Sequence, residues 1–196
     1  MATRVGILAL QGGFAAHARA VAALGDVPVE VRSARDLSAA DALVLPGGES
    51  TVMLDLLRRD PALEVALVAL ARAGAPVLAT CAGLILLARS VHDPAQRSLG
   101  LLDVEVRRNA RGRQVHSSEA WDDAHRLPLL FIRAPRITAV GARVETLATF
   151  EGEPILVREG AIVAATFHPE LTTNLDVHTR ALHPARVTRE AYPILA

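Results

Sequence analysis

Four short stretches of this chain hold groups whose type and spacing suit nucleophilic chemistry on a carbonyl carbon. Cys81, the only cysteine, stands where the apolar run 76–80 gives way to Ala82-Gly83-Leu84-Ile85-Leu86-Leu87. A strand-to-helix turn there exposes the side chain above a sheet and points helix amides at it. Those amides and the helix dipole favour the thiolate, the form that attacks carbonyls. The competing reading is a buried, inert thiol, because free cysteine is among the most buried residue types.

His168 ends the apolar stretch 162–166 and is followed two residues later by Glu170. A general base needs reach to the nucleophile and a third group that fixes its tautomer, so the spacing suits a Cys81, His168, Glu170 constellation. A satisfied surface histidine is the alternative. The six other histidines have no such setting. Two glycine-ended loops complete the set. In Leu45-Pro46-Gly47-Gly48-Glu49-Ser50-Thr51 the glycines free the backbone to turn N–H groups toward a ligand. The N–H groups of Gly48 and Ala82 would then serve as an oxyanion hole. Gln11, ahead of Gly12 and Gly13, ends the first apolar run in the same way and is placed at the same crevice. Arg107, Arg108, Arg111 and Arg113 surround Asn109 and Gly112; such a run is usually a solvated face, but one guanidinium over the crevice would bind a carboxylate in bidentate fashion.

The elements that must position these groups follow from the apolar pattern. Runs at 5–10, 29–31, 42–45 and 76–80 read as strands, and 14–24, 50–57 and 60–74 as helices, with Ser50 or Thr51 capping the second and Asp60 with Pro61 starting the third. This alternation favours an α/β fold with a mostly parallel central sheet flanked by helices and ligands at the carboxyl ends of the strands. Beyond residue 99, candidate strands at 101–106, 129–132, 144–149, 155–157 and 162–166 lack long intervening helices and read as antiparallel additions. A helix is expected over 176–182, and an irregular tail over 183–196, the whole 1–196 forming one domain.

Composition removes several functions. The 196 residues carry 21 basic and 21 acidic side chains, and every basic one is arginine. Without lysine there is no Schiff base with a carbonyl and no P-loop lysine; no G-x-G triplet or H-E-x-x-H segment occurs either. Zero net charge and 3% aromatic residues give no sign of a nucleic-acid partner. The apolar runs are too short for a membrane helix, and a lone cysteine suits a reducing compartment, so a cytoplasmic location is expected.

The motifs VGILALQGGFAAHARAV, LVLPGGEST, TCAGLILLA, RRNARGRQ, FIRAP and TFHPEL, in that order over residues 5–171, resemble the glutaminase subunits of pyridoxal phosphate synthases, a branch of the class I, triad-type glutamine amidotransferases. The Cys and HPE elements are similar across that whole class, whereas LQGG, PGGEST, RN-x-x-GRQ and IRAP resemble this branch. The resemblance implies Cys81 as nucleophile, His168 as base and Glu170 as its anchor, with Gly47, Gly48, Glu49, Arg108, Ile132 and Arg133 at the glutamine site. It implies hydrolysis of L-glutamine through a cysteinyl thioester, no cofactor, and ammonia delivered to a barrel-shaped synthase partner that works through lysine imines. A chain without lysine cannot perform that second half. The resemblance further implies low activity until the partner docks and completes the oxyanion loop. Ala79 stands where the elbow of such proteins commonly carries glycine, and the ending ALHPARVTREAYPILA departs from theirs. An amidotransferase serving another acceptor, or a noncatalytic scaffold of the same fold, is the alternative.

Overall fold

The computed structural model describes residues 2–110 and 120–186. The first half alternates as its apolar pattern requires. The order is β1 (Arg4–Leu8), α1 (Phe14–Ala23), β2 (Val27–Val31), a short α2 (Ala34–Leu37), β3 (Ala42–Leu45), α3 (Ser50–Arg59), α4 (Pro61–Arg72), β4 (Val77–Thr80) and α5 (Ala82–Leu87). After these come β5 (Ala88–His92), β6 (Leu102–Arg107), β7 (Ala120–Trp121), β8 (Pro128–Leu129), β9 (Arg136–Val140), β10 (Glu145–Phe150), β11 (Glu153–Glu159) and β12 (Ile162–Ala165), then α6 (Asp176–Leu182). Short 3₁₀ turns at Pro169–Leu171 and Pro184–Arg186 flank α6, and the remainder of the expected tail lies outside the described residues.

The main sheet runs β10-β11-β12-β4-β3-β1-β2, parallel from β12 to β2 and antiparallel across β10, β11 and β12. Strands β3, β4 and β12 are buried along their whole length, as strands covered on both faces must be. Their alternate residues feed two cores. Leu43, Leu45, Val77 and Ala79 pack with Met53 and Leu57 of α3, Leu63 and Leu67 of α4, and Leu84 and Leu86 of α5. Ala42, Val44, Leu78 and Ala165 face the other way, toward Val21 of α1, Val177 and Ala181 of α6, Phe131 and Phe167.

Several expectations are corrected. The stretch read over 162–166 is not an antiparallel addition: β12 pairs parallel with β4 from Ile162 opposite Val77 to Ala165 opposite Thr80. The 101–106 strand leaves the main sheet for a separate one, β5-β6-β9. Of 129–132 only Pro128–Leu129 pairs, because the chain then turns sharply and Arg133 takes φ 45°. Neither Ser50 nor Thr51 caps α3; Glu49 holds that position, and Ser50 Oγ instead donates to Gln96 Oε1 at 3.1 Å. Asp60 caps α4 as expected, its Oδ1 accepting the Leu63 N–H at 3.1 Å ahead of Pro61. Among the described residues no helix is long and apolar enough to cross a membrane.

Candidate active site

Cys81 sits between β4 and α5 with φ 47° and ψ −100°. Its N–H donates to the Ala165 carbonyl of β12 at 2.8 Å, so the residue is still tied to the sheet while its backbone turns into the helix. A non-glycine residue in such a conformation costs about 1–3 kcal/mol and persists only where the surroundings enforce it. Part of the enforcement comes from Gly83: a methyl there would stand 2.1 Å from the Leu45 carbonyl oxygen, so only glycine lets α5 sit this close to β3.

His168 and Glu170 leave the neighbouring strand β12 and enter a 3₁₀ turn. The His168 N–H donates to the Leu130 carbonyl at 2.9 Å, and Nδ1 meets Glu170 Oε1 at 2.7 Å, leaving Nε2 for Cys81. Burial alone would lower the proton affinity of this imidazole. Hydrogen bonds and charge from Cys81 and Glu170 outweigh it and push His168 up to about 10. Burial likewise works to raise Glu170, yet the His168 bond, followed by the electrostatic fields of His17 and His168, brings it below the ordinary carboxylate value.

The two glycine loops close against this pair. Gly13 N–H donates to the Gly47 carbonyl at 2.9 Å, which turns the following Gly48 N–H to the opposite side of a planar trans peptide. A methyl on Gly47 would stand 2.4 Å from His168 Cε1 and 3.4 Å from Cys81 Cβ. The Gln11 amide donates to the Glu49 carbonyl at 2.9 Å and packs under Gly48. Arg108 reaches over from the end of β6, its Nη2 3.0 Å from Glu49 Oε1 and 3.1 Å from Thr51 Oγ1.

Gly48, Glu49, Cys81, Arg108, Ile132, Arg133 and His168 line one cavity of about 150 Å³, with Ser50, Ile85 and Asn109 completing the wall. Cys81, Asn109 and Arg133 all have φ between 45° and 48°, so three strained backbone positions ring the same space. Gln11 and Gly47 lie beneath this wall, Glu170 behind His168, and Ala82 at the first turn of α5. Arg107 points elsewhere, paired with Asp93 at 3.0 Å, and Arg111 and Arg113 lie outside the described residues. Among the described residues no group of three or more His, Cys, Asp or Glu is arranged to hold a metal ion.

The family model for SNO glutamine amidotransferases matches residues 7–183. The chain belongs to that family. Relatives include a pyridoxal 5'-phosphate synthase subunit PdxT from Desulforudis audaxviator, 49% identical over 183 residues, covering 89% of this chain and 95% of that protein. One of the same description from Thermotoga neapolitana is 45% identical, covering 89% and 95%. A solved crystal structure of a glutamine amidotransferase superposes with a TM-score of 0.83 at 41% identity, over 93% of this chain and 99% of that one.

In this SNO amidotransferase the motif-bearing residues thus converge, but three polar side chains behind them had no place in the sequence argument. His17 is buried beside Glu170, with Thr80 and His178 buried against it. The available signal was periodicity: His17 falls on the buried stripe of α1 with Ala16, Ala20 and Val21, and His178 on that of α6 with Val177 and Ala181.

Proposed function

We infer that this chain is the glutaminase subunit of a pyridoxal 5'-phosphate synthase, hydrolysing L-glutamine to L-glutamate and ammonia. Within the family, the observation that carries the mechanism is the clustering of Cys81, His168 and the 2.7 Å Glu170 anchor at one cavity. His168 holds its proton between Glu170 and Cys81, a cation beside the thiol that favours the thiolate. The Cys81 sulfur attacks the side-chain amide carbon, and the N–H groups of Gly48 and Ala82 receive the oxyanion. His168 then gives its proton to the departing nitrogen, which leaves as ammonia, and a glutamyl thioester remains. A water attacks the thioester, His168 takes up its proton, and glutamate is released with Cys81 restored.

The ion pair of Glu49 with Arg108 offers one anion and one cation at the cavity rim, the complement of an amino acid's ammonium and carboxylate. Ile132 and Arg133 close the opposite wall, while Gln11 and Gly47 support the loop that carries Gly48. The ammonia passes to a lysine-bearing synthase partner of barrel form, the two working in the cytoplasm. An electrophilic glutamine analogue tests the assignment: mass spectrometry should find it on Cys81, with free glutamine protecting. Labelling elsewhere, or none in the presence of the partner, would reject it.

A further inference from the structure

The chemistry above ends at Glu170, yet the polar network continues into the core. His17 of α1, Thr80 at the end of β4 and His178 of α6 have no exposed surface. His17 Nε2 lies 3.1 Å from Thr80 Oγ1 and 3.4 Å from Glu170 Oε2, while its Nδ1 lies 3.0 Å from His178 Nε2. Burying two imidazoles in a core of otherwise apolar side chains is costly unless their hydrogen bonds are made.

The protons on this network can be assigned. Glu170 Oε1 is taken by His168, and Oε2 is buried without a hydrogen bond, His17 Nε2 lying 3.4 Å away. A carboxylate only accepts, so a bare Nε2 lone pair facing Oε2 would repel it; a proton on His17 Nε2, directed between Thr80 Oγ1 at 3.1 Å and Oε2 at 3.4 Å, avoids that clash. Its Nδ1 is then the acceptor, and His178 must donate through its own Nε2. That leaves His178 Nδ1 as a bare acceptor, and it is this atom that the structure leaves without a partner. The titratable groups facing His17 are Glu170, His168 and His178. Burial keeps both inner imidazoles neutral, lowering His17 to about 4 and His178 to about 3. Neutrality matters, because a cation at that position would compete with His168 for the charge of Glu170.

We propose that His17, backed by His178, is a positioning residue for glutamine hydrolysis, its Nε2–H holding the Glu170 carboxylate in the orientation that fixes His168. The proposal rests on the glutaminase assignment. It is tested on the full chain with its synthase partner by comparing wild type, His17→Leu and His17→Gln, the last keeping an amide N–H near the Nε2 position. His17→Leu should lower kcat roughly 10- to 100-fold, the loss seen when the partner one step behind a metal-bound imidazole is removed, with KM within about twofold. The basic limb of its pH profile should move to lower pH, and His17→Gln should restore most of the activity. Should His17→Leu not fold, His17→Asn, whose amide stops short of Glu170, takes its place.

The pH dependence of Cys81 alkylation by iodoacetamide gives a second readout without glutamine or partner, and the same limb should move there. Unchanged kcat and pH profile in His17→Leu would overturn the proposal. So would equal losses in the Leu and Gln variants with an unchanged alkylation profile, which would make His17 a core filler. If the wild-type complex releases no glutamate, the glutaminase assignment fails, and the alkylation profiles alone then decide the role of His17.

Discussion

His168 and the two inner histidines have opposite proton affinities although all three are buried, and the difference lies in their neighbours. His168 borders Cys81 and Glu170, whose bonds and charge outweigh burial, and rises to about 10, whereas burial dominates at His17 and His178, which fall to about 4 and 3. Linkage fixes the consequence. The folded state binds the His168 proton more tightly than the unfolded chain, whose value is 6.5, so that contribution to stability is complete below about pH 6.5 and is lost as pH rises toward about 10. The inner pair bind protons more weakly when folded, so their contribution is complete above about pH 6.5 and is lost as pH falls toward 4 and 3. Urea midpoints measured from pH 4 to 10 should therefore fall on both sides of a maximum near 6.5, and His17→Leu should flatten the acid side. Glu170→Gln removes the charge beside the proposed base; kcat should drop roughly 10²–10⁴-fold, the usual worth of positioned acid–base catalysis. Arg108→Ala should raise KM for glutamine with kcat nearly kept; an unchanged KM would remove Arg108 from the substrate site.

At the scale of elements, the site is an intersection of strand ends. Loops after β1, β3, β4 and β12, neighbours in the parallel part of the sheet, deliver Gln11, Gly48, Cys81 and His168 to one edge. Much of this was legible. The runs 42–45 and 76–80 are continuous and apolar because both faces are covered, and the punctuation after them marks the loops. The partner of β12 was not legible, because pairing with β4 is set only after the chain has built a second sheet and a hairpin between them. Strands β5 and β9 were missed because their exposed positions carry polar and small residues that break the apolar signal. His17 and His178 were missed for a related reason: their bond to each other spans 161 residues and the approach of His17 to Glu170 spans 153, and nothing local announces them. Close approach of elements makes its own prediction. Gly83→Ala should destabilise by about 1–3 kcal/mol, as overpacking does, and slow Cys81 alkylation because α5 must move. Gly25→Ala, with φ +85° and open space around it, should carry only backbone strain and leave alkylation unchanged; thermal unfolding beside alkylation rates checks both.

On the scale of the whole molecule, the chain divides a reaction with another protein. It carries the cysteine, histidine and backbone donors proposed to release ammonia and no lysine for imine chemistry, which assigns the acceptor reaction to a partner. Among the described residues, arginines such as Arg89 with Glu105 and Arg158 with Glu145 stay on the surface in solvent-screened ion pairs, while Arg108 is turned into the cavity. The most direct test is glutamate release from L-glutamine by the purified chain, alone and with a pyridoxal 5'-phosphate synthase subunit, beside Cys81→Ala. The account predicts release that depends on Cys81 and rises when the partner docks. Undiminished release by Cys81→Ala, or none from a confirmed complex of the wild-type chain, would contradict it.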